Sequence, residues 1–159
     1  MNAIAKPVQS TRLMQLEADL SRHLSSFYLL SSQYQKHEWL AEKPGSREYY
    51  RCFRQNRRSV EESIASLSRR LSYLSHSGED KASGSAYFLE EKEGRLGLVD
   101  MLRRDCMIER RVCLLLEHTR AKAVTLGEDA TAIVVEELIQ QAEARLAALK
   151  EHLELAGEA

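Results

Sequence analysis

Apolar residues recur every three or four positions along most of the chain, and no other feature restricts the fold as much. The first series runs through Leu13, Leu16, Leu20, Leu24, Phe27, Leu30 and Tyr34, which draws one buried stripe on a helix of about seven or eight turns. Pro44 and Gly45 stop it, because proline cannot extend the hydrogen-bond ladder and glycine permits a reversal. Ser46 offers a capping hydroxyl to the next helix. A second series, Tyr50, Phe53, Val60, Ile64, Leu67, Leu71 and Leu74, predicts an antiparallel neighbour joined by a short turn. A third helix is expected from Leu98 to Leu126 on Met101, Leu102, Ile108, Val112, Leu115 and Leu116, with Gly127 at its left-handed end. Asp129 can cap a fourth, carrying Ala132, Val135, Leu138, Leu146, Leu149 and Leu153.

The joints select the architecture. Two are tight turns, while the one between the second and third helices is long and polar, and Gly84 to Glu90 within it reads as a short helix. An all-α four-helix bundle with one long crossover is the ferritin-like topology. Residues 1–12 are expected as a flexible tail and residues 13–155 as a single domain. With 7 Gly, 2 Pro and 6% aromatic residues in 159, the chain is unlike collagen-like, low-complexity or turn-rich β classes. A net charge of −1 advertises neither nucleic acid nor an anionic membrane as a partner. No apolar run approaches the ~20 residues of a membrane span. Met1 to Lys6 lacks the apolar stretch of a secretory signal, so a cytoplasmic location is expected. Cys52, Cys106 and Cys113 contain no C-x-x-C pair and read as reduced packing thiols.

Charge is unevenly spread. Residues 46–74 hold seven Arg against three Glu, and residues 128–159 hold eight acids against two bases. Arg47, Arg51, Arg54 and Arg58 have three-four spacing, which makes one cationic ridge and marks them as candidate nucleic-acid contacts. The N-terminal residues hold only Lys6 and Arg12, and the C-terminus is acidic, which argues against a basic tail that wraps DNA.

Four segments resemble Dps, the DNA-protecting mini-ferritin branch of the ferritin superfamily. Gln33-Tyr-Gln-Lys-His-Glu-Trp39 is similar to the family's Q-x-x-H-W, and Ile64-Ala-Ser-Leu-Ser-Arg-Arg-Leu71 to its V-D-x-I-A-E-R-I. Glu117 through Thr131 resembles a third helix ending in L-G-D-x-x-T, and Glu137 through Leu153 resembles its final helix. The resemblance implies an iron-oxidising site shared by two subunits, with histidines and a carboxylate from one and an Asp and a Glu from its mate. Carried over position by position, the histidine before the Trp falls on Glu38, the second histidine on Tyr50 and the carboxylate on Arg54. The mate's Asp falls on Ala65 and its Glu on Arg69. Guanidinium stays protonated and has no lone pair to donate, so the ferroxidase site is expected to be degenerate. Glu38 is expected to pair with Arg54 or Arg69 across a dimer.

Relocated metal candidates are His37, Glu38, Glu61 and Glu62, although consecutive helical residues diverge too far to chelate together. No E-x-x-H pair occurs, and His23, His76, His118 and His152 are expected at the surface. The leading expectation is a Dps-like protein without ferroxidase activity and without a cofactor, acting as a structural or interaction assembly in stress physiology. Its partner is itself, as a twofold dimer or a twelve-subunit shell, or a related Dps-like chain with which it co-assembles. The alternatives are a working ferroxidase that stores iron with unusual ligands, and a DNA-coating stress protein.

Overall fold

The computed structural model describes residues 5–75, 84–90 and 96–157. Its four helices are, in chain order, α1 (Ala5–Leu40), α2 (Arg47–Ser75), α3 (Leu98–Thr125) and α4 (Asp129–Leu155). α1 packs along α2 and α3 along α4, and contacts of α2 with α4 and of α1 with α3 close the square. The first and third joints turn at glycine as expected, but the N-cap of α4 is Glu128, with no side-chain cap bond, rather than Asp129. Gly45 has φ 85° and Gly127 φ 71°, a left-handed backbone that a side chain would strain. The Ser46 carbonyl accepts the Tyr50 N–H at 3.1 Å and so opens α2.

Each helix turns its apolar stripe inward. Leu16, Leu20 and Phe27 from α1 meet Phe53, Val60 and Leu67 from α2, with Leu102, Val112 and Leu116 from α3 and Val135, Leu138 and Leu149 from α4. Burial of this size is the main favourable contribution to folding.

Three further local expectations need correction. Residues 5–12, expected as a tail, belong to α1. Pro7 falls in the helix's first turn, where no backbone N–H needs a partner, so it does not break the helix. Gly84 to Glu90, expected as a short helix, runs as bends and irregular backbone. Those residues are held instead by side chains of α1. Tyr87 N–H donates to Ser26 Oγ at 3.1 Å and Gly84 N–H to Ser21 Oγ at 3.3 Å. A Cβ on Gly84 would lie 2.9 Å from Arg22 Cγ and 3.1 Å from Arg22 N, so the strap lies against α1 only because that atom is missing.

The third correction concerns His23, which is 2% exposed rather than at the surface. Its Nε2 lies 2.8 Å from Thr119 Oγ1 and its Nδ1 3.0 Å from Tyr87 OH. Thr119 spends its hydroxyl proton on Leu115 O at 3.0 Å, so Nε2–H donates to Thr119 and Nδ1 accepts from Tyr87. Burial drives the His23 pKa down to about 4, against the opposing pull of Asp19. A neutral imidazole thus ties α1, α3 and the crossover together. Of the other histidines, His118 is exposed and His152 half-buried, while His76 lies outside the described residues.

Candidate functional site

The antiparallel α1–α2 hairpin brings the end of α1 beside the first turns of α2. There Glu38 accepts from Arg57, Nε to Oε2 at 2.7 Å and Nη2 to Oε1 at 3.5 Å. Arg57 also donates to Glu61 at 2.8 Å. Arg54 Nε stands 3.9 Å from the other Glu38 oxygen. Arg54 is turned toward Tyr50, donating to its hydroxyl at 3.2 Å and lying 5.9 Å above its ring. The Glu38 side chain is 12% exposed, so this pairing is partly desolvated. The hydrogen bond to Glu38 is the largest of the effects that raise the Arg57 pKa. An open cleft of about 480 Å³ adjoins the pair, walled by Gln35, Lys36, Trp39 and Tyr50.

The expected partner of Glu38 is Arg54 or Arg69 across a dimer. Within the chain the partner at hydrogen-bond distance is Arg57, with Arg54 the more distant cation. Ala65 and Arg69 are exposed farther along α2, roughly 16 and 22 Å from Arg54 at 1.5 Å per residue. Arg69 donates to the Ala65 carbonyl at 3.4 Å. Only a second copy could bring those two positions to the cleft.

His37 leaves the relocated-ligand set altogether. It points into the core, where Nδ1 lies 2.7 Å from Asp105 Oδ2 and the ring meets Phe53 edge-on at 5.3 Å. Glu61 is engaged by Arg57, and Glu62 is exposed one residue further on. Among the described residues no group of three or more His, Cys, Asp and Glu could hold a metal ion. Arg47, Arg51 and Arg58 are exposed and Arg54 half-buried, on the side of α2 opposite Phe53 and Val60, so the cationic ridge does face outward.

A second polar centre was not anticipated. Inside the bundle Asp105 accepts from Gln33 at 2.5 Å on one oxygen and pairs with His37 on the other. One turn later Glu109 accepts from Tyr34 OH at 2.7 Å and from Arg145 Nε at 2.7 Å. Arg145 also donates to Ser59 at 3.1 Å, and Asn56 bonds the Arg145 carbonyl at 3.4 Å. Burial raises the Asp105 pKa against the opposing effect of His37 and Gln33. It also pushes Tyr34 well above its ordinary value, with the Glu109 charge adding to the effect. For Arg145 burial favours loss of the proton, but Glu109 outweighs it and the pKa rises. The arrangement is a buried polar network that links α1, α2, α3 and α4, with Gln33 Oε1 its one side-chain atom among the described residues left without a hydrogen-bond partner.

The cysteines are packing thiols. Cys52 and Cys106 are buried and Cys113 half-buried, and burial raises all three pKa values, that of Cys52 to about 12. No helix among the described residues is long and apolar enough to cross a membrane.

A four-helix bundle with one long crossover and a charged cleft at the α1–α2 hairpin defines a ferritin-like protein. The ferritin-like domain matches residues 17–157, and the chain belongs to that family. Within it the likeness runs to Dps proteins. A nutrient stress-induced DNA-binding protein of Synechococcus sp. is 28% identical over 129 residues, covering 79% of this chain and 73% of that one. The X-ray structure of Dps from Thermosynechococcus elongatus superposes with a TM-score of 0.81 at 21% identity, over 92% of this chain and 94% of that one. An archaeal Dps homologue from Halobacterium salinarum gives 0.80 at 23% identity, over 90% and 81%. These two structural likenesses concern the fold.

Proposed function

We propose that this chain is a Dps-like scaffold whose α1–α2 cleft has given up iron oxidation, and that it acts as a non-catalytic, self-assembling protein of stress physiology in the cytoplasm. The observation that carries this reading is the pairing of Glu38 with Arg57, with Arg54 the second cation beside it. Of the five positions that correspond to the family's ligands, Glu38 alone has a carboxylate, and that carboxylate already neutralises a guanidinium. Ferrous iron would have to displace Arg57 and then find its other ligands among Tyr50, Arg54, Ala65 and Arg69. Two of those are cations that repel it, and one has no donor atom. No cofactor enters the reading.

Self-assembly is supported by Tyr28, Ser32, Gln35 and Trp39, which share one outward ridge of α1 by their three-four spacing. Trp39 is 72% exposed, and an indole left in water beside a cleft is suited to a subunit contact. The proposed unit is a twofold dimer through this ridge, able to close a twelve-subunit shell or to co-assemble with a ferroxidase-competent relative.

Anaerobic addition of ferrous iron and then oxygen tests the catalytic half. The expected ferric absorbance grows no faster than in buffer. A fast rise that saturates at a fixed ratio of iron to chain would replace this reading with that of a working, iron-storing ferroxidase.

DNA binding is a second reading, favoured by the outward ridge of Arg47, Arg51, Arg54 and Arg58 and by the DNA-binding name of the Synechococcus relative. Its signature is a mobility shift that weakens steeply with salt and is lost when Arg51 and Arg58 are changed to Glu.

A further inference from the structure

We propose that the exposed ridge of α3 around Met107 and Leu114 is a docking surface for the acidic outer face of α4 on a second copy of this chain. The two surfaces match in spacing, in charge and in apolar content. On α3, Arg103, Met107, Arg110 and Leu114 have three-four spacing on the side away from the core. Met107 is 69% and Leu114 59% exposed. On α4, Ile133, Glu137, Gln140, Ala144 and Ala147 form the equivalent outward ridge, with Ile133 63% exposed. The alanines leave room for a methionine and a leucine to lie against the backbone, as ridges-into-grooves packing needs.

Charge selects the pairing. The carboxylates of Asp105 and Glu109 on α3 are buried and bonded internally. The first half of α3 therefore shows solvent Arg103, Arg110 and Arg111, with Arg103 also paired to Asp100 at 3.2 Å. α4 shows Glu137, Glu143, Glu151 and Glu154 against Lys150, while Glu136 is paired with Arg120 at 2.7 Å. Arg110, Glu137 and Glu143 make no ion pair among the described residues. An α3-on-α3 contact would set arginine against arginine, and α4 on α4 would set glutamate against glutamate. Opposed signs meet only when α3 of one copy lies on α4 of the next, which also covers the exposed methionine, leucine and isoleucine. A phosphate polymer would engage the arginines but leave those apolar side chains in water.

The proposal rests on the self-assembling part of the proposed function. Its test uses two full-length variants, R103E/R110E, which makes both faces negative, and E137R/E143R, which makes both positive. Light scattering after size exclusion is expected to give a lower mass for each variant alone than for the native chain. Mixing them is expected to recover the native mass, because each then offers the face the other needs. Circular dichroism of the separate variants checks that both remain helical. A monomeric native chain would end both this proposal and the self-assembling reading. A native oligomer whose mass survives either double reversal, or variants that dissociate but do not recover on mixing, would end this proposal alone.

Discussion

Arg145 grips Glu109 through two hydrogen bonds, Nε to Oε1 at 2.7 Å and Nη2 to Oε2 at 3.1 Å, with both side chains out of water. This pair joins α4 to α3 at a depth where an unpaired charge would be costly. Breaking a buried pair from one side leaves an uncompensated charge, a penalty of about 3–5 kcal/mol. R145M should therefore lower the stability from urea unfolding by that amount. Replacing both partners with apolar groups removes the stranded charge as well, so E109L/R145M should recover most of the loss. A double variant no more stable than R145M would show that the remaining network, Tyr34 above all, depends on the carboxylate itself.

His23 makes stability depend on acidity in a window that can be named. Its folded pKa is lowered to about 4 from the ordinary 6.5, so between those values the unfolded chain binds the proton and the folded chain does not. Stability from this residue is complete above pH 6.5 and is lost as the pH falls towards 4. At 1.36 kcal/mol per pKa unit the loss is on the order of 3 kcal/mol. H23Q keeps a donor and an acceptor but does not titrate. Urea midpoints at neutral pH, at pH 5.5 and at pH 4 should fall steeply for the native chain and less so for H23Q. Parallel slopes would mean that other groups dominate the acid response.

Gly84 is a steric prediction. A methyl group there meets both the Arg22 side chain and, at 3.1 and 3.2 Å, its backbone N and Cα. The side chain can swing aside, but the helix backbone cannot, so the strap must lift. G84A should cost about 1–3 kcal/mol and should loosen the Tyr87 contacts to His23 and Ser26. Hydrogen exchange at the Tyr87 amide would report that loosening directly, and an unchanged amide would mean that the strap adapts without lifting.

The four helices were legible because their apolar residues repeat at the helical period and because Pro44, Gly45 and Gly127 stand where the chain must turn. The polar interior was harder to see. Its members sit on the apolar stripes themselves, with His37 three residues after Tyr34, Asp105 three after Leu102, and Arg145 between Ala142 and Leu149. A charged residue on such a stripe signals a buried partner, but which partner is settled only when helices distant in sequence come together. The cleft shows the same limit at shorter range. The hairpin places Glu38 among the arginines of α2, yet the choice of Arg57 over Arg54 comes from side-chain direction, which spacing alone does not encode. The departures in the tail and crossover have a common cause. Pro7 fails to break a helix when it stands at the start, and Tyr87 of the crossover is held by contacts to α1 rather than by a repeat of its own.

If lost ligands are what ended iron chemistry in the α1–α2 cleft, returning them should bring it back. The substitutions are E38H, Y50H, R54E, A65D and R69E, which restore imidazole and carboxylate at the corresponding positions. R57M is added because the guanidinium that now bonds Glu38 would otherwise compete with the metal for the same space. Ferrous oxidation should rise from the buffer rate to a fast, saturable phase, and only in a form whose mass shows at least two chains, since positions 65 and 69 must come from a mate. The same substitutions with A65 and R69 left native should show no such phase. A folded, assembled protein carrying every ligand but still inert would mean that the two halves of the site no longer face one another, and that scaffold geometry changed along with the side chains.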